Sequence, residues 1–499
     1  MADLETKNSA VATGESSERK VKMRSLALDL VPMGSDEENR MADLKVNKTL
    51  PEGIESKMLY SDIIHIAWPS LVELTLTQLA SMVDLMMVGQ LGPWALTAVG
   101  LTTQPKFLLM TMFMAMNVGA TAMVARYKGA GNQKKADEVL RQALLMTFVL
   151  GCVFAVIGFI AAPWLIKFMG ASEDHVLQGG VDYLRIQMIG LPGLALTSTI
   201  TATLRGVGNS KTAMIYNAMA NIINVIFNYM LIYGNFGAPR MEVAGASLAT
   251  IIGQYCAMFM AFYAVMNGQQ YIILRFRDGF KPNKEEIKKI VDIGAPAMVE
   301  QVVMRIGLII YTRTVAGLGT LPYAVHQVCL NIQSLSFMNG QAFAVSATSL
   351  TGQSLGKKRH DMAQAYTTRT RKLGMCVSIF LGVVFFFFGG QIVALYSGGD
   401  QSLVELGAVI MMFVAVVQPF QSSQLILAGA LRGAGDTKVT AAITFITVLL
   451  VRPALAIFAI NVLGMGLEGA WYALVTDQIL RSLLVLLRYN SGAWKRHTM

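Results

Sequence analysis

The sequence contains few charged residues. Of its 499 residues, 14% are Asp, Glu, Lys or Arg and 54% are hydrophobic, whereas about 25% of the residues in a soluble domain are charged. Proline is also scarce, with 13 residues, which favours long helices without interruption. This composition excludes a soluble globular protein, a disordered chain and a collagen-like chain.

Cysteine is scarce as well. The four cysteines lie inside apolar runs, form no Cys-x-x-Cys motif and have no His pair nearby. We therefore expect no metal site and no disulfide framework. The expected packed, reduced thiols are Cys152, Cys256, Cys329 and Cys376.

No catalytic or nucleotide-binding motif is evident. Two turns, at 205–211 and 432–438, share the pattern Arg-Gly-x-Gly-x-x-Lys, but they follow apolar helices and lack the spacing of a phosphate-binding loop. The net charge of +10 comes from short basic clusters scattered between apolar runs. We expect no enzyme activity, no cofactor, no bound nucleotide and no nucleic-acid partner.

Twelve apolar runs are long enough to cross a bilayer, which takes about 20 residues. They show no period-two alternation, so helices are predicted and a barrel is not. The predicted class is an all-α integral membrane protein with twelve transmembrane helices. The predicted spans are approximately 62–88, 95–125, 139–168, 179–204, 212–234, 242–267, 288–316, 322–352, 370–396, 403–431, 439–460 and 468–487.

Basic residues in the short loops predict the orientation, because Lys and Arg stay on the cytoplasmic side. The loops after the second, sixth and eighth helices are basic, with Lys134, Lys281 and Lys358 among their residues. The loops after odd-numbered helices contain one basic residue, Arg240. We expect a multi-pass protein of the cytoplasmic membrane with both termini in the cytoplasm.

The second half of the sequence repeats the first at an offset of 227 residues, most clearly in the blocks Leu204–Lys211 and Leu431–Lys438. Six helices in each repeat predict two bundles of the same sense, related by a pseudo-two-fold axis along the membrane normal, with a cleft between them. The predicted segments are a disordered cytoplasmic extension (1–57), an amino-terminal lobe (58–270), a cytoplasmic linker (271–287), a carboxy-terminal lobe (288–490) and a cytoplasmic tail (491–499).

Asp84 is the main candidate for function. It lies 22 residues into the first predicted helix, or about 33 Å along its axis. Carboxylates inside membrane helices are costly and usually face a cavity that carries ions or protons. The alternative is a solvated acid at the outer interface without a function.

Four asparagines of the fifth predicted helix share one face, at positions i, i+4, i+7 and i+11. Such a face needs water or polar partners. It predicts either the wall of a polar cavity beside Asp84 or hydrogen bonds between helices. These residues are Asn217, Asn221, Asn224 and Asn228.

Other charged residues also fall inside predicted helices. Glu73 and Glu300 occupy equivalent positions of the two repeats, so structural and coupling roles are both open. Arg305 and Arg452 need anionic or carbonyl partners. Glu300 is a candidate partner of Arg305, although the i, i+5 spacing is poor. We count Glu73, Glu300 and Arg305 among the candidate cavity residues.

Several motifs occur together in this sequence: Pro69-x3-Glu73, Val83-Asp84-Leu-Met-Met-Val-Gly89, the two Leu-Arg-Gly-x-Gly blocks, Asn224-x3-Asn228, Gly245–Thr250 and Thr348-x3-Gly352-Gln353. In this combination they resemble the multidrug and toxic compound extrusion (MATE) family over about residues 58–490.

This resemblance implies two lobes that open alternately and export organic cations or amphipathic drugs against an inward flow of protons or sodium ions. It places Asp84 on the family's first-helix acid, Asn224 on a polar position of helix five and Thr250 on a cavity threonine of helix six. Asn228 stands where many members carry a second acid. Gln421, a further candidate cavity residue, stands where sodium-coupled members carry an acid in helix ten.

We expect a secondary antiporter, surrounded by membrane lipids and coupled to protons, with sodium at Asp84 as the second candidate. A proton needs one titratable group, whereas sodium needs several oxygen ligands. Two alternatives stay open. One is a flippase for lipid-linked oligosaccharides, which would need several cationic cavity residues. The other is a membrane-embedded regulatory or receptor protein that uses the amino-terminal extension.

Overall fold

The computed structural model describes residues 26–35, 50–51, 53–171, 173–395 and 400–496. Within these ranges the chain forms twelve long helices and no strand, which confirms the predicted fold class. The helices are α1 (Ser56–Gly89), α2 (Pro93–Gly129), α3 (Gln133–Phe168), α4 (Asp174–Gly206), α5 (Ser210–Tyr233), α6 (Glu242–Met266), α7 (Lys284–Ala316), α8 (Thr320–Gly356), α9 (His360–Ala394), α10 (Gln401–Gly433), α11 (Thr437–Asn461) and α12 (Gly466–Asn490).

Ten of these helices are apolar enough to cross a membrane by length and composition alone. The other two, α4 and α8, are less apolar because they bury many polar side chains within the protein, for instance Thr199 and Ser349. Their length and their neighbours make them part of the same bundle. Length therefore identifies these two helices better than hydropathy does.

The internal repeat determines the architecture. The bounds of α2 and α4 reappear unchanged 227 residues later as α8 and α10. We call α1–α6 the N lobe and α7–α12 the C lobe. Within the N lobe α1 packs on α5, and across the lobe interface α1 contacts α8 while α7 contacts α2.

The two lobes touch closely at one end of the bundle. We call it the basic end, because it carries the loops that follow the even-numbered helices. There a Cβ atom added to Gly129 would lie 1.9 Å from the carbonyl oxygen of Gln353, and one added to Gly356 would lie 1.9 Å from that of Arg126. Arg126 also donates to the carbonyl oxygen of Ala434 at 3.1 Å. Glycine is required at both positions, and the lobe interface is closed at this end.

Part of the amino-terminal extension is ordered, which corrects the prediction of disorder over 1–57. Residues Ala27–Leu30 form a short 3-10 turn in which Leu28 is buried. The backbone N–H of Ala27 donates to Asp62 of α1 at 2.8 Å, and Lys357 donates to the carbonyl oxygen of Leu28 at 2.7 Å. This segment therefore bridges the two lobes at the basic end. Residues 1–25 and 36–49 lie outside the described ranges.

The other boundaries shift modestly from their predicted places. The first helix starts at Ser56, and α7 starts at Lys284, inside the predicted linker. Part of the predicted tail forms a turn at Ala493–Arg496, where Trp494 is buried and stacks on Tyr489 with ring centroids 5.1 Å apart. This turn packs against the C lobe.

The four cysteines are free thiols, as the sequence predicts. Cys329 is buried in α8, whereas Cys376 is exposed on α9. The expectation of a packed thiol is therefore wrong for Cys376. An apolar run does not distinguish the buried face of a membrane helix from the face that lipid covers.

Candidate functional site

A cavity of about 310 Å³ lies in the N lobe among α1, α2, α4, α5 and α6. Five of the residues singled out in the sequence line it together: Asp84, Asn217, Asn221, Asn224 and Thr250. Apolar side chains from α2 and α4 complete the wall. The cavity thus combines one carboxylate, several amides and hydroxyls, and an apolar surface.

Asp84 is surrounded by neutral donors. The amide of Asn228 donates to its Oδ1 atom. The amide nitrogen of Asn224 faces the carboxylate at 2.9 and 3.2 Å, and its oxygen accepts from the Thr250 hydroxyl at 3.3 Å. The opposite amide orientation would set the Asn224 oxygen against the carboxylate. Asn228 is fully buried, and its own Oδ1 atom has no hydrogen-bond partner among the described residues.

The asparagine face of α5 lies against α1. Asn217 donates to Glu73 at 2.6 Å, Asn221 donates to Thr77 at 3.2 Å, and the Asn228–Asp84 pair has the same sequence separation of 144 residues. A constant separation is what two parallel helices in fixed register produce. Asn217 and Asn221 line the cavity and also join the two helices, whereas Asn228 joins the helices and is not part of the cavity wall.

The two glutamates form equivalent ion pairs in the two lobes. Glu73 pairs with Arg205 at 2.8 Å, and Glu300 pairs with Arg432 at 2.7 Å. The suggested pairing of Glu300 with Arg305 is wrong, because residues five apart project about 140° from each other around a helix. Neither glutamate is among the residues that line the cavity.

Arg305 and Gln421 are not themselves among the residues that line this cavity. The Arg305 guanidinium of the C lobe stacks on the ring of Phe107, 4.6 Å from its centroid, and Phe107 lines the N-lobe cavity. Arg305 therefore reaches the edge of the cavity from across the lobe interface. Gln421 is buried between α8 and α10, where it accepts from Gln333 at 3.4 Å, and it is not part of the cavity wall.

Sequence reasoning missed Lys106, which lines the same cavity as Asp84. The two charges attract each other, yet the part of the chain that the structure describes holds no ion pair between them within 4 Å. Lysines entered the sequence prediction only where they occur in loops or turns, mainly as indicators of the orientation. Lys106 lies in the middle of α2 and was therefore not considered. The signal is present, because Lys106 falls well inside the predicted span 95–125.

The acid at the Asp84 position of the N lobe has no counterpart in the C lobe. Tyr311 is the residue 227 positions after Asp84. It is buried and donates its hydroxyl to the carbonyl oxygen of Ala470 at 2.8 Å. The repeat position that carries an acid in the N lobe therefore carries a hydrogen-bonded phenol in the C lobe.

A buried charge cluster lies nearby in the C lobe. Arg452 donates to Asp477 at 3.0 Å, and Arg481 pairs with the same oxygen at 3.0 Å. A π-helical segment, Phe445–Val451, precedes Arg452 in α11. Arg452 thus has the anionic partner that its burial requires.

Comparisons with known proteins identify the family. A family model described as MatE matches residues 69–230 and 296–458, one segment in each lobe. A protein described as probable multidrug resistance protein NorM, from Thermotoga maritima, is 27% identical over 439 residues, which cover 88% of this chain and 94% of that protein. The uncharacterized transporter YisQ of Bacillus subtilis is 26% identical over 434 residues, covering 87% and 94%.

The fold also matches solved structures. One is described as the outward-facing conformation of a multidrug resistance MATE family transporter of the MOP superfamily. It superposes with a TM-score of 0.82 at 21% identity, covering 90% of this chain and all of that one. At this identity the likeness concerns the fold.

Proposed function

The chain belongs to the MatE family of membrane transporters, and from that premise we propose that it exports amphipathic compounds, organic cations among them, in exchange for protons. The observation that carries this proposal is Asp84, a single carboxylate in a partly apolar cavity of the N lobe. The names of the multidrug relatives support the substrate class. The basic loops support a cytoplasmic location for the basic end and for both termini.

Both protonation states of Asp84 have suitable partners. The charged carboxylate accepts hydrogen bonds from the amides of Asn224 and Asn228. A protonated Asp84 can instead donate to the Oδ1 atom of Asn228, which has no other partner among the described residues. Because neither state leaves the acid without a hydrogen bond, Asp84 can take up and release a proton within the membrane.

The closed basic end suggests how transport proceeds. With that end in the cytoplasm, a proton that arrives from outside neutralises Asp84 and weakens its attraction for a cationic substrate. The substrate then leaves, and the contact between Gly129 and Gln353 has to open before the proton can be released inside. Alternating opening of two lobes around one site is the usual mode of such transporters.

Sodium is the second candidate for the coupling ion. The Asp84 carboxylate and the Thr250 hydroxyl both contact the amide of Asn224, and hard cations prefer several such oxygen ligands. A flippase for lipid-linked oligosaccharides has less support. Of the residues that line the cavity, Lys106 is the cationic one, and a polyanionic headgroup would need several.

Proteoliposomes with imposed gradients test the proposal. Transport of a fluorescent cationic dye is measured with a proton gradient alone and with a sodium gradient at uniform pH. We expect the proton gradient to drive transport, the sodium gradient to have no effect, and a protonophore to abolish the signal. Transport driven by sodium alone would identify sodium as the coupling ion. No transport with either gradient would contradict the antiport proposal.

A further inference from the structure

Lys106 is the one charge of the cavity wall that the proposed exchange does not use. It lies thirteen residues after the start of α2 at Pro93, about 20 Å along the helix. A lysine side chain is too short to bring its amine from that depth to the membrane surface. Its ammonium group therefore needs a polar or anionic partner inside the cavity.

The carboxylate oxygens of Asp84 and Glu73 already have other hydrogen-bond or ion-pair partners. Both oxygens of Asp84 face the amides of Asn224 and Asn228, and Glu73 is held by Arg205 and Asn217. Across the residues that the structure describes, the Lys106 amine has no ion pair within 4 Å and no hydrogen bond. Its three N–H donors are available to a ligand.

A second cation contacts a residue of the cavity wall. The Arg305 guanidinium stacks on Phe107, the neighbour of Lys106 in sequence, and Phe107 lines the cavity. The cavity wall thus contains an acid on α1, Asp84, and a base on α2, Lys106, with the apolar residues Phe107 and Met110 next to the lysine on α2.

We propose that Lys106 binds an anionic group of the substrate, so that the cavity selects amphipathic compounds with a carboxylate on an apolar body, zwitterions included. The inference rests on the proposed export function and narrows its substrate class. The carboxylate pairs with Lys106, the apolar body contacts Phe107 and Met110, and a cationic group, where the substrate has one, faces Asp84.

A matched pair of dyes tests the assignment. A rhodamine with a free carboxylate and the methyl ester of the same rhodamine differ in the anionic group alone. Binding is measured by fluorescence anisotropy with the full-length protein in nanodiscs. The variants are Lys106→Gln, Lys106→Arg and a control, Lys167→Gln, which removes an exposed charge at the end of α3.

We expect the wild type to bind the acid about tenfold more tightly than the ester, which corresponds to about 1.4 kcal/mol. Lys106→Gln should remove this preference by weakening acid binding and leave ester binding unchanged. Lys106→Arg and Lys167→Gln should keep it. An unchanged preference in Lys106→Gln would overturn the assignment. Wild-type binding of the ester as tight as that of the acid would also overturn it, even where the glutamine variant does not fold.

Transport of the same dyes separates this inference from the proposed function. Proton-driven export of the ester but not of the acid would keep the export proposal and overturn the role of Lys106. Export of neither dye would contradict the proposed function, and the binding ratio would still decide whether Lys106 holds the carboxylate.

Discussion

Replacing Arg432 should destabilise the protein more than replacing its repeat equivalent, Arg205. Either substitution by Met leaves a buried glutamate without its ion-pair partner. Among the hydrogen bonds of the described residues, Glu73 would keep the one from the Asn217 amide at 2.6 Å, and Glu300 would keep the one from the Thr440 hydroxyl at 3.3 Å. The glutamate left without its arginine therefore keeps the shorter hydrogen bond in the N lobe.

The expected magnitude follows from these contacts. Removing one partner of a buried pair costs about 3–5 kcal/mol, and the partly exposed arginines place these pairs at the lower end. We expect a loss of about 3 kcal/mol for Arg432→Met. The stronger hydrogen bond that remains to Glu73 should reduce the loss for Arg205→Met by about 1 kcal/mol. For a unit the size of one lobe, 1 kcal/mol shifts the unfolding midpoint by about 2–4 °C.

The assay is the apparent unfolding midpoint in detergent at one heating rate, read by fluorescence-detected size exclusion. The double variant Glu300→Gln/Arg432→Met removes the orphaned charge and should recover most of the loss. Dye binding should survive in the folded fraction of both single variants, because neither ion pair lines the cavity. Wild-type midpoints for both single variants, or a double variant no better than Arg432→Met, would refute the reasoning.

Three further predictions concern other contacts. Gly129→Leu should hold the basic end open, because its Cβ would lie 1.9 Å from the Gln353 oxygen; spin labels across that end should move apart, and an unchanged distance would contradict the contact. Leu28→Asp should lower the unfolding midpoint by disrupting the buried amino-terminal turn, whereas exposed Leu30→Asp should not; equal effects would contradict that packing. Asp477→Asn should sharply reduce the yield of folded protein by leaving two buried arginines without their acid, and a normal yield would show the cluster to be dispensable.

Much of the fold could be predicted because membrane helices satisfy their own backbone and leave a clear apolar pattern. The asparagine face of α5 followed from helical periodicity in the same way. The prediction of disorder at the amino terminus was wrong for one segment because it relied on local patterns alone. Residues Ala27–Leu30 are too few to indicate structure by themselves, and they are ordered by contacts with Asp62 and Lys357, which are distant in sequence.

Contacts between residues that are distant in sequence could not be predicted either. The pairing of Glu300 with Arg432 joins residues 132 positions apart, and nothing local to Glu300 points to it. Asp477 meets Arg452 across two helices in the same manner. The approach of Lys106 to the Asp84 cavity depends on how α2 packs in the N lobe, which the sequence pattern of α2 does not contain.

The central claim is that Asp84 couples export to protons, and Asp84→Asn tests it most directly. The substitution keeps the size and hydrogen bonding of the side chain but removes its titration. The measurement is proton movement induced by adding substrate to proteoliposomes that contain the purified variant. The control for loss of another acid of α1 is Glu73→Gln/Arg205→Met, which removes both partners of a buried ion pair. We expect no proton movement with Asp84→Asn and clear movement with the wild type and the control. Normal substrate-induced proton movement by Asp84→Asn would contradict the account.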